Sequence, residues 1–452
     1  MLAFLGVLLG MSSSIMMQTI LATVLPVVSK DLGGTHLYSW VFSGYMVAST
    51  VTIPLFAKLA DIYGRKTFYL GGMALFLAGT ALSGAANAMS HLVIFRVLQG
   101  IGAGAVAPAA IAIISDLFPV EERGKMMGVL AAVQVLANIV GPLLGGAITD
   151  HFGWQWAFFA ILPLGFFAMI LVSFGLTGNI PMPSQRNRQQ IDFWGGLLLG
   201  ILAILLIQGF AILSTQDRWQ AGFIFLLALA VFMLLLWQEN KHQDPVVSVA
   251  LLTTKNVGVS MVSTLLLGGV MYCAIILLPL YGQKILAGTA TQGGKLLIPL
   301  TLGAGIGGMI SGRLSKKLSY ANLAVGGWLL AAGGFLLVAL ISKFTEPDIL
   351  SLAWVIFIAG LGLGAALPAF LLPVQNAVPE NKRAVAAGLF QLARNLGGAL
   401  GIPLFSGIIG GTKDVFFPAF MALALVSLPG IALGLKFKGS VHSEVGGDKD
   451  GV

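Results

Sequence analysis

The chain has 452 residues, of which 57% are hydrophobic and 9% charged, with a formal net charge of +8. Soluble domains carry about 25% charged residues, so a water-soluble fold is excluded, because its interior could not hide this much apolar surface. A single cysteine, Cys273, excludes an internal disulfide framework and a cysteine-rich metal site, and the basic residues sit in short loops between apolar runs, which reflects membrane topology and excludes a nucleic-acid partner.

A helix needs about 20 apolar residues to cross a bilayer. Fourteen such runs are predicted, in chain order 3–28, 38–58, 68–87, 91–114, 124–148, 154–176, 193–213, 220–238, 257–281, 294–312, 321–342, 350–373, 384–410 and 416–436. Strands of a β-barrel would be about 10 residues long and alternating, which these runs are not. The first run follows Met1 with no charged leader and no small-residue cleavage site, so it is expected to be a retained span. It carries Gln18, Thr19 and Thr23. The second carries Tyr45, the fourth Arg96 and Gln99, and the fifth Gln134 and Asn138 ahead of a Gly141-Pro142 break. The thirteenth carries Gln391, Arg394 and Asn395. Polar side chains within spans turn towards protein, so these residues are expected to contact substrate. Arg96 and Arg394 are the full charges placed within spans. An unpaired charge there costs at least about 2.5–3.5 kcal/mol. Arg96 is therefore assigned to proton coupling and Arg394 to substrate, against the alternative of struts bonded to backbone carbonyls.

Orientation follows from lysine and arginine. With the N-terminus inside, 17 of the 25 basic residues fall on the cytoplasmic side and 6 outside, leaving Arg96 and Arg394. Both termini are expected to be cytoplasmic.

Residues 98–146 align without a gap on 358–406, a shift of 260. Gly100, Gly102, Gly104 and Pro108 fall on Gly360, Gly362, Gly364 and Pro368. Pro119, Arg123, Gly128 and Gly141 fall on Pro379, Arg383, Gly388 and Gly401. Glycine and proline dictate close approach and bending, so matching them means matching helix geometry. The expected organisation is an N-terminal six-helix bundle (1–178), a linker with two extra transmembrane helices (179–250), a C-terminal six-helix bundle (251–437) and a cytoplasmic tail (438–452). Parallel repeats of this kind build transporters, with substrate held between the halves.

Three motifs carry a resemblance. After the second span stands Ala57-Lys58-Leu59-Ala60-Asp61-Ile62-Tyr63-Gly64-Arg65-Lys66. The fourth span holds Arg96-Val97-Leu98-Gln99-Gly100-Ile101-Gly102-Ala103-Gly104, and the fifth Gly141-Pro142-Leu143-Leu144-Gly145-Gly146. Together they resemble the major facilitator superfamily, and within it the fourteen-span drug:proton antiporter branch. The resemblance implies an all-α membrane protein with the major facilitator fold: two six-helix bundles plus two extra helices, 14 transmembrane helices in all. It implies that Asp61, Gly64, Arg65 and Lys66 form a conformational latch, and that Gly141 and Pro142 seal the outer half. It further implies a multi-pass protein of a bacterial cell membrane, acting as a monomer, with no catalytic residues and no cofactor or metal.

The sequence departs from that pattern in one respect. Relatives often place an acid in the first span, where Met17 stands here, and none of the 17 acids falls in mid-membrane. A proton carrier needs a group whose protonation answers to burial and access. Asp116, Asp31 and Asp61, near the membrane boundaries, are the remaining choices, with Asp116 expected to contribute most. The functional expectation is a secondary active transporter that exports lipophilic or amphipathic small molecules by alternating access, coupled to protons, in the lipid bilayer. The alternatives are a flippase for lipids or lipid-linked amphiphiles on the same fold, and a non-transporting membrane sensor. A formal G-x-G-x-x-G at Gly303–Gly308 lies inside a span with no preceding strand and implies close helix packing, not nucleotide binding.

Overall fold

The computed structural model describes residues 1–176, 192–213, 218–242, 252, 255–286, 288–315, 317–344, 349–376, 383–404 and 415–436. The regular structure among them is helical. In chain order the helices are α1 (Leu2–Asp31), α2 (Tyr38–Tyr63), α3 (Arg65–Gly84), α4 (Met89–Leu117), α5 (Val120–Phe152), α6 (Trp154–Phe159), α7 (Ile161–Gly175), α8 (Phe193–Leu213) and α9 (Arg218–Lys241). They continue with α10 (Lys255–Lys284), α11 (Ala290–Lys295), α12 (Leu297–Leu314), α13 (Tyr320–Phe344), α14 (Ile349–Asn376), α15 (Arg383–Leu404) and α16 (Phe416–Leu435). In lipid no water is available for free backbone groups, so long helices that bond internally are the solution open to an apolar chain.

Among the described residues, thirteen helical stretches are long and apolar enough to cross a membrane. The expected run missing from these is the thirteenth, α15, whose polar residues gather on one face; the expected end of that run at 410 lies outside the described residues. Two expected spans are each broken by a turn, at Ala160 between α6 and α7 and at Leu296 between α11 and α12. The expected loop after the second span is mostly helix. Asp61 stands in the last turn of α2 and Arg65 and Lys66 open α3, with Gly64 at φ +103° as the one-residue break. Glycine tolerates that angle without strain, so a single residue turns the chain where hydrophilicity suggested a longer loop. Large apolar side chains stand exposed along α9, among them Trp219, Phe223, Met233 and Trp237, as a lipid-facing helix requires.

The chain forms two compact units. One comprises Met1–Ser248, Ile275–Lys295 and Ile402–Gly410, the other Val249–Ala274, Leu296–Gly401 and Gly411–Val452. In the first unit α4 packs between α2 and α3, α1 lies against α5 and α7, and α8 pairs with α9 and touches α2. In the second, α14 packs between α12 and α13, and α16 lies on α13.

The repeated glycines explain both wedges. A Cβ on Gly100 or Gly104 would stand 2.5 Å from the Tyr45 carbonyl oxygen or 2.7 Å from that of Ser49, both on α2. One on Gly102 would meet Gly72 and Phe76 on α3. In the second unit Gly360 and Gly364 meet Leu300 and Ala304 on α12, while Gly362 meets Gly327 and Ala331 on α13. Glycines four apart therefore face one neighbour, and the glycine between them faces the other. The contacts are backbone to backbone, the packing that helices adopt in lipid when small residues let them close.

Candidate functional site

Close packing around α4 encloses a large charged side chain inside the first unit. Arg96 is wholly buried. Its Nε donates to the Val41 carbonyl at 3.2 Å, and its Nη1 donates to Gln99 Oε1. Gln99 Nε2 passes the chain on to Thr80 Oγ1 at 2.5 Å. The guanidinium carbon lies 4.1 Å from the centre of the Tyr45 ring, and the Tyr45 hydroxyl is 3.2 Å from Ser14 Oγ. One side chain thus ties α4 to α2 and α3, and through Tyr45 to α1. The charge is met by a carbonyl, an amide oxygen and a π face, and its Nη2 has no hydrogen-bond partner. Tyr45, Arg96 and Gln99 were expected from the sequence. Thr80 and Ser14 were not, since a hydroxyl in an apolar helix carries no sign of its partner.

At the end of the unit that holds Gly64, Arg65 pairs with Asp116 of α4 and donates to the Ala112 carbonyl at 3.1 Å. Lys66 donates to the carbonyls of Ser173 and Leu176, at 2.7 and 2.8 Å, where α7 ends and its free carbonyls concentrate negative potential. The expected latch residue Arg65 and the expected coupling residue Asp116 therefore meet, while Lys66 ties α3 to the end of α7 instead. The Asp61 side chain lies outside the described residues.

At the opposite end, Gly141 and Gly145 of α5 admit α1: a Cβ at these positions would stand 3.1 Å from the Met16 carbonyl oxygen and 3.1 Å from Ile20 Cα. Gly146 admits residue 291 in the same way, with Thr291 Cα 2.5 Å from its Cβ position, and Gly294 faces the Pro142 carbonyl. Pro142 sits inside α5, where it removes a backbone donor. One turn beyond Gly146, the two oxygens of Asp150 accept from the backbone N–H groups of Ala290 and Thr291, each at 2.9 Å, and from the Thr291 hydroxyl at 2.6 Å. Gln283 donates to the Thr23 carbonyl at 2.8 Å. Asp31 accepts from Trp154 Nε1 at 2.7 Å, fixing the end of α1 to the start of α6. Asp150 and Gln283 escaped sequence reasoning, although the register of Gly141, Gly145 and Gly146 points one turn on to Asp150.

The remaining expected residues of this unit do not join a common network among the described residues. Thr19 and Thr23 are buried and donate to the carbonyls of Met16 and Ile20 in their own helix. Asn138 Nδ2 donates to the Gln134 carbonyl one turn back, and Gln18 is half-buried.

Residues 7–402 match the family model described as Major Facilitator Superfamily. The chain belongs to the major facilitator superfamily. It is 31% identical over 427 residues to the multidrug transporter protein MdtP of Bacillus subtilis (strain 168), covering 94% of this chain and 78% of that one. It is 32% identical over 406 residues to multidrug resistance protein 3 of the same organism, covering 89% and 78%. A solved auto-inhibited peptide transporter of the POT family superposes with a TM-score of 0.69 over 96% of each chain at 14% identity, a likeness of fold. The protein is therefore a multi-pass membrane transporter and not an enzyme.

The second unit of this major facilitator protein gathers its polar side chains on α15. Gln391 Nε2 donates to Asn395 Oδ1 at 2.9 Å, and the Tyr272 hydroxyl of α10 approaches the same oxygen at 3.4 Å. Arg394 lies beside them, half-buried, with a buried Nε that has no hydrogen-bond partner. Gln391, Arg394 and Asn395 were expected; Tyr272 was not, being one aromatic residue among many in apolar helices. Just before α8 and in the last turn of α9, Asp192 and Glu239 are both buried. Asp192 Oδ1 accepts from the Gly195 N–H at 2.8 Å, and a Cβ on Gly195 would collide with oxygens of both carboxylates, so the two acids are neighbours.

Proposed function

We propose that the protein is a secondary active exporter of lipophilic or amphipathic small molecules, of the multidrug type that confers antibiotic resistance, working by alternating access with protons as counter-ion. The observation that carries this reading is the seam around Pro142. There α5 meets α1 and residues 290–294 through glycine faces, with the short side chains of Thr19 and Ile20 seated against Gly141 and Gly145, and one carboxylate, Asp150, supplies the polar bonds. A seam of this kind parts without unpacking a core, which alternating access requires. The two Bacillus multidrug proteins, similar over most of the chain, support the same class.

Proton coupling falls to carboxylates at helix ends. Asp116 holds Arg65, and Asp31 holds Trp154. Protonating either removes the charge that joins two helices, so proton uptake loosens a contact instead of occupying a central carrier. Arg96 sits in the polar chain above Asp116 on α4 and is positioned to answer that change. With the N-terminus inside, the Arg65 end faces the cytoplasm and the Asp150 end the exterior. Reconstituted vesicles with an imposed pH gradient test the reading. Ethidium or Hoechst dye is expected to move against its gradient, and to stop when a protonophore collapses the pH difference. Dye that stays put in both states rejects export, and movement of a labelled phospholipid alone would assign the chain to lipids.

A further inference from the structure

Arg394 stands at the middle of the 22-residue α15. Its carbonyl is locked in place, because a Cβ on Gly268 of α10 would overlap it and one on Gly397 would overlap the Leu265 carbonyl. The backbone beneath the guanidinium is thus fixed by helix-to-helix contact, while the side chain is half-buried and its Nε lacks an acceptor. No aspartate or glutamate occurs among the described residues of this unit. Asn395, the next residue along α15, has its Oδ1 turned to Gln391 and Tyr272. A charge within a membrane span normally finds a partner, and the described part of the unit supplies no carboxylate to pair this one.

We propose that Arg394 is an oxyanion site that receives the carboxylate, or a chemically equivalent acidic group, of an amphiphilic substrate, with Gln391 and Tyr272 as its hydrogen-bonding flank. The proposal rests on the export reading above and adds a substrate class to it. Arginine presents a planar fork suited to a carboxylate, and the apolar helices around it accept the tail.

The test uses the purified full chain and three probes: 11-(dansylamino)undecanoic acid, its methyl ester, and tetraphenylphosphonium. Binding is read by fluorescence in detergent and movement in vesicles. The acid is expected to bind about 10-fold more tightly than the ester, the scale of a hydrogen bond to a charged group. Arg394→Gln is expected to erase that preference, bringing the affinity for the acid about 10-fold down to that for the ester, and Arg394→Lys to retain part of it. Equal binding of acid and ester, an equal loss of all probes in Arg394→Gln beside a well-folded Arg394→Lys, or a preference for the phosphonium would overturn the site while export of the other probes stands. Failure to bind or move any probe would overturn the export reading together with it. Displacement of the acid by phosphatidylglycerol but not phosphatidylcholine supports the oxyanion site and assigns it to a lipid headgroup; displacement by neither supports it with a non-lipid amphiphile as the source.

Discussion

Asp150 stands in the last turn of α5 and caps a helix that is not its own. It receives two backbone N–H groups and one hydroxyl from residues 290 and 291. An N-cap supplied locally contributes about 1 kcal/mol, and a hydrogen bond to a charged acceptor about 1.5–3 kcal/mol. Asp150 is exposed, so water competes for each bond and the three together amount to about 2 kcal/mol. Asp150→Ala should therefore let the amide hydrogens of Ala290 and Thr291 exchange about 30-fold faster, since each 1.4 kcal/mol is a factor of ten. Asp150→Asn keeps one acceptor and turns a donor towards Thr291, so it should fall between the two. Hydrogen–deuterium exchange read by mass spectrometry on peptides spanning 286–296 measures this, with peptides of α3 and α4 as internal controls. Unchanged exchange in 286–296 would refute the cap. So would a rise spread evenly over the controls, because that would mean the whole unit had loosened and not one seam.

The Arg65–Asp116 pair is partly exposed, at 21% and 23%, so its coupling energy in a double-mutant cycle should be about 1 kcal/mol, with the charge-exchanged variant regaining part of the transport lost by Asp116→Arg alone. Full transport in Asp116→Asn would remove that residue from coupling. Gly104→Ala and Gly364→Ala force a Cβ against the backbones of α2 and α12 and should each cost about 1–3 kcal/mol in thermal unfolding, whereas Gly128→Ala and Gly388→Ala meet no atom within 4 Å and should gain up to about 1 kcal/mol. Replacing the buried polar pair by apolar side chains of similar length, Arg96→Met with Gln99→Leu, should leave the unfolding temperature within about 4 °C while abolishing proton-driven dye export; a collapse of the fold would mean that Arg96 is a strut.

Much of this fold was legible because lipid imposes length and apolarity on every span, and those are properties of contiguous sequence. The run expected at 193–213 is α8 to the residue, and α1, α4 and α13 extend the expected runs by a few residues at their ends. The glycine ladder was legible for a different reason: it occurs twice, and the coincidence marked it as packing. The polar contacts were harder to read. Arg65 and Asp116 are 51 residues apart, and Asp150 and Thr291 are 141 apart. Which helix faces which is decided by crossing angle and rotation, and the composition of either partner is silent about both. Thr80 and Ser14 were invisible on the same account. The break between α2 and α3 was misread for a local reason, since charged residues at a helix end resemble a loop until Gly64 is seen to carry the whole turn.

The two halves share a skeleton but not a charge pattern, and the difference points to function. Under the shift that superposes the glycines, Arg96 and Gln99 correspond to Ile356 and Ala359, both fully buried and apolar. Gln134 corresponds to Arg394. Gly79 against Gln99 and Gly334 against Ala359 show that the helix approach is the same whether the wedge residue is polar or not. Packing therefore does not require Arg96 or Gln99, because the second unit builds the same wedge without them. A buried charge that the architecture can do without persists only if something else depends on it. Each half thus keeps one arginine deep in a helix, on α4 in the first and on α15 in the second. The first is enclosed by a carbonyl, an amide and a ring. The second is half-buried, with an Nε that lacks an acceptor, so under the proposed function the first suits a proton relay and the second a ligand contact, at positions that do not correspond in the repeat.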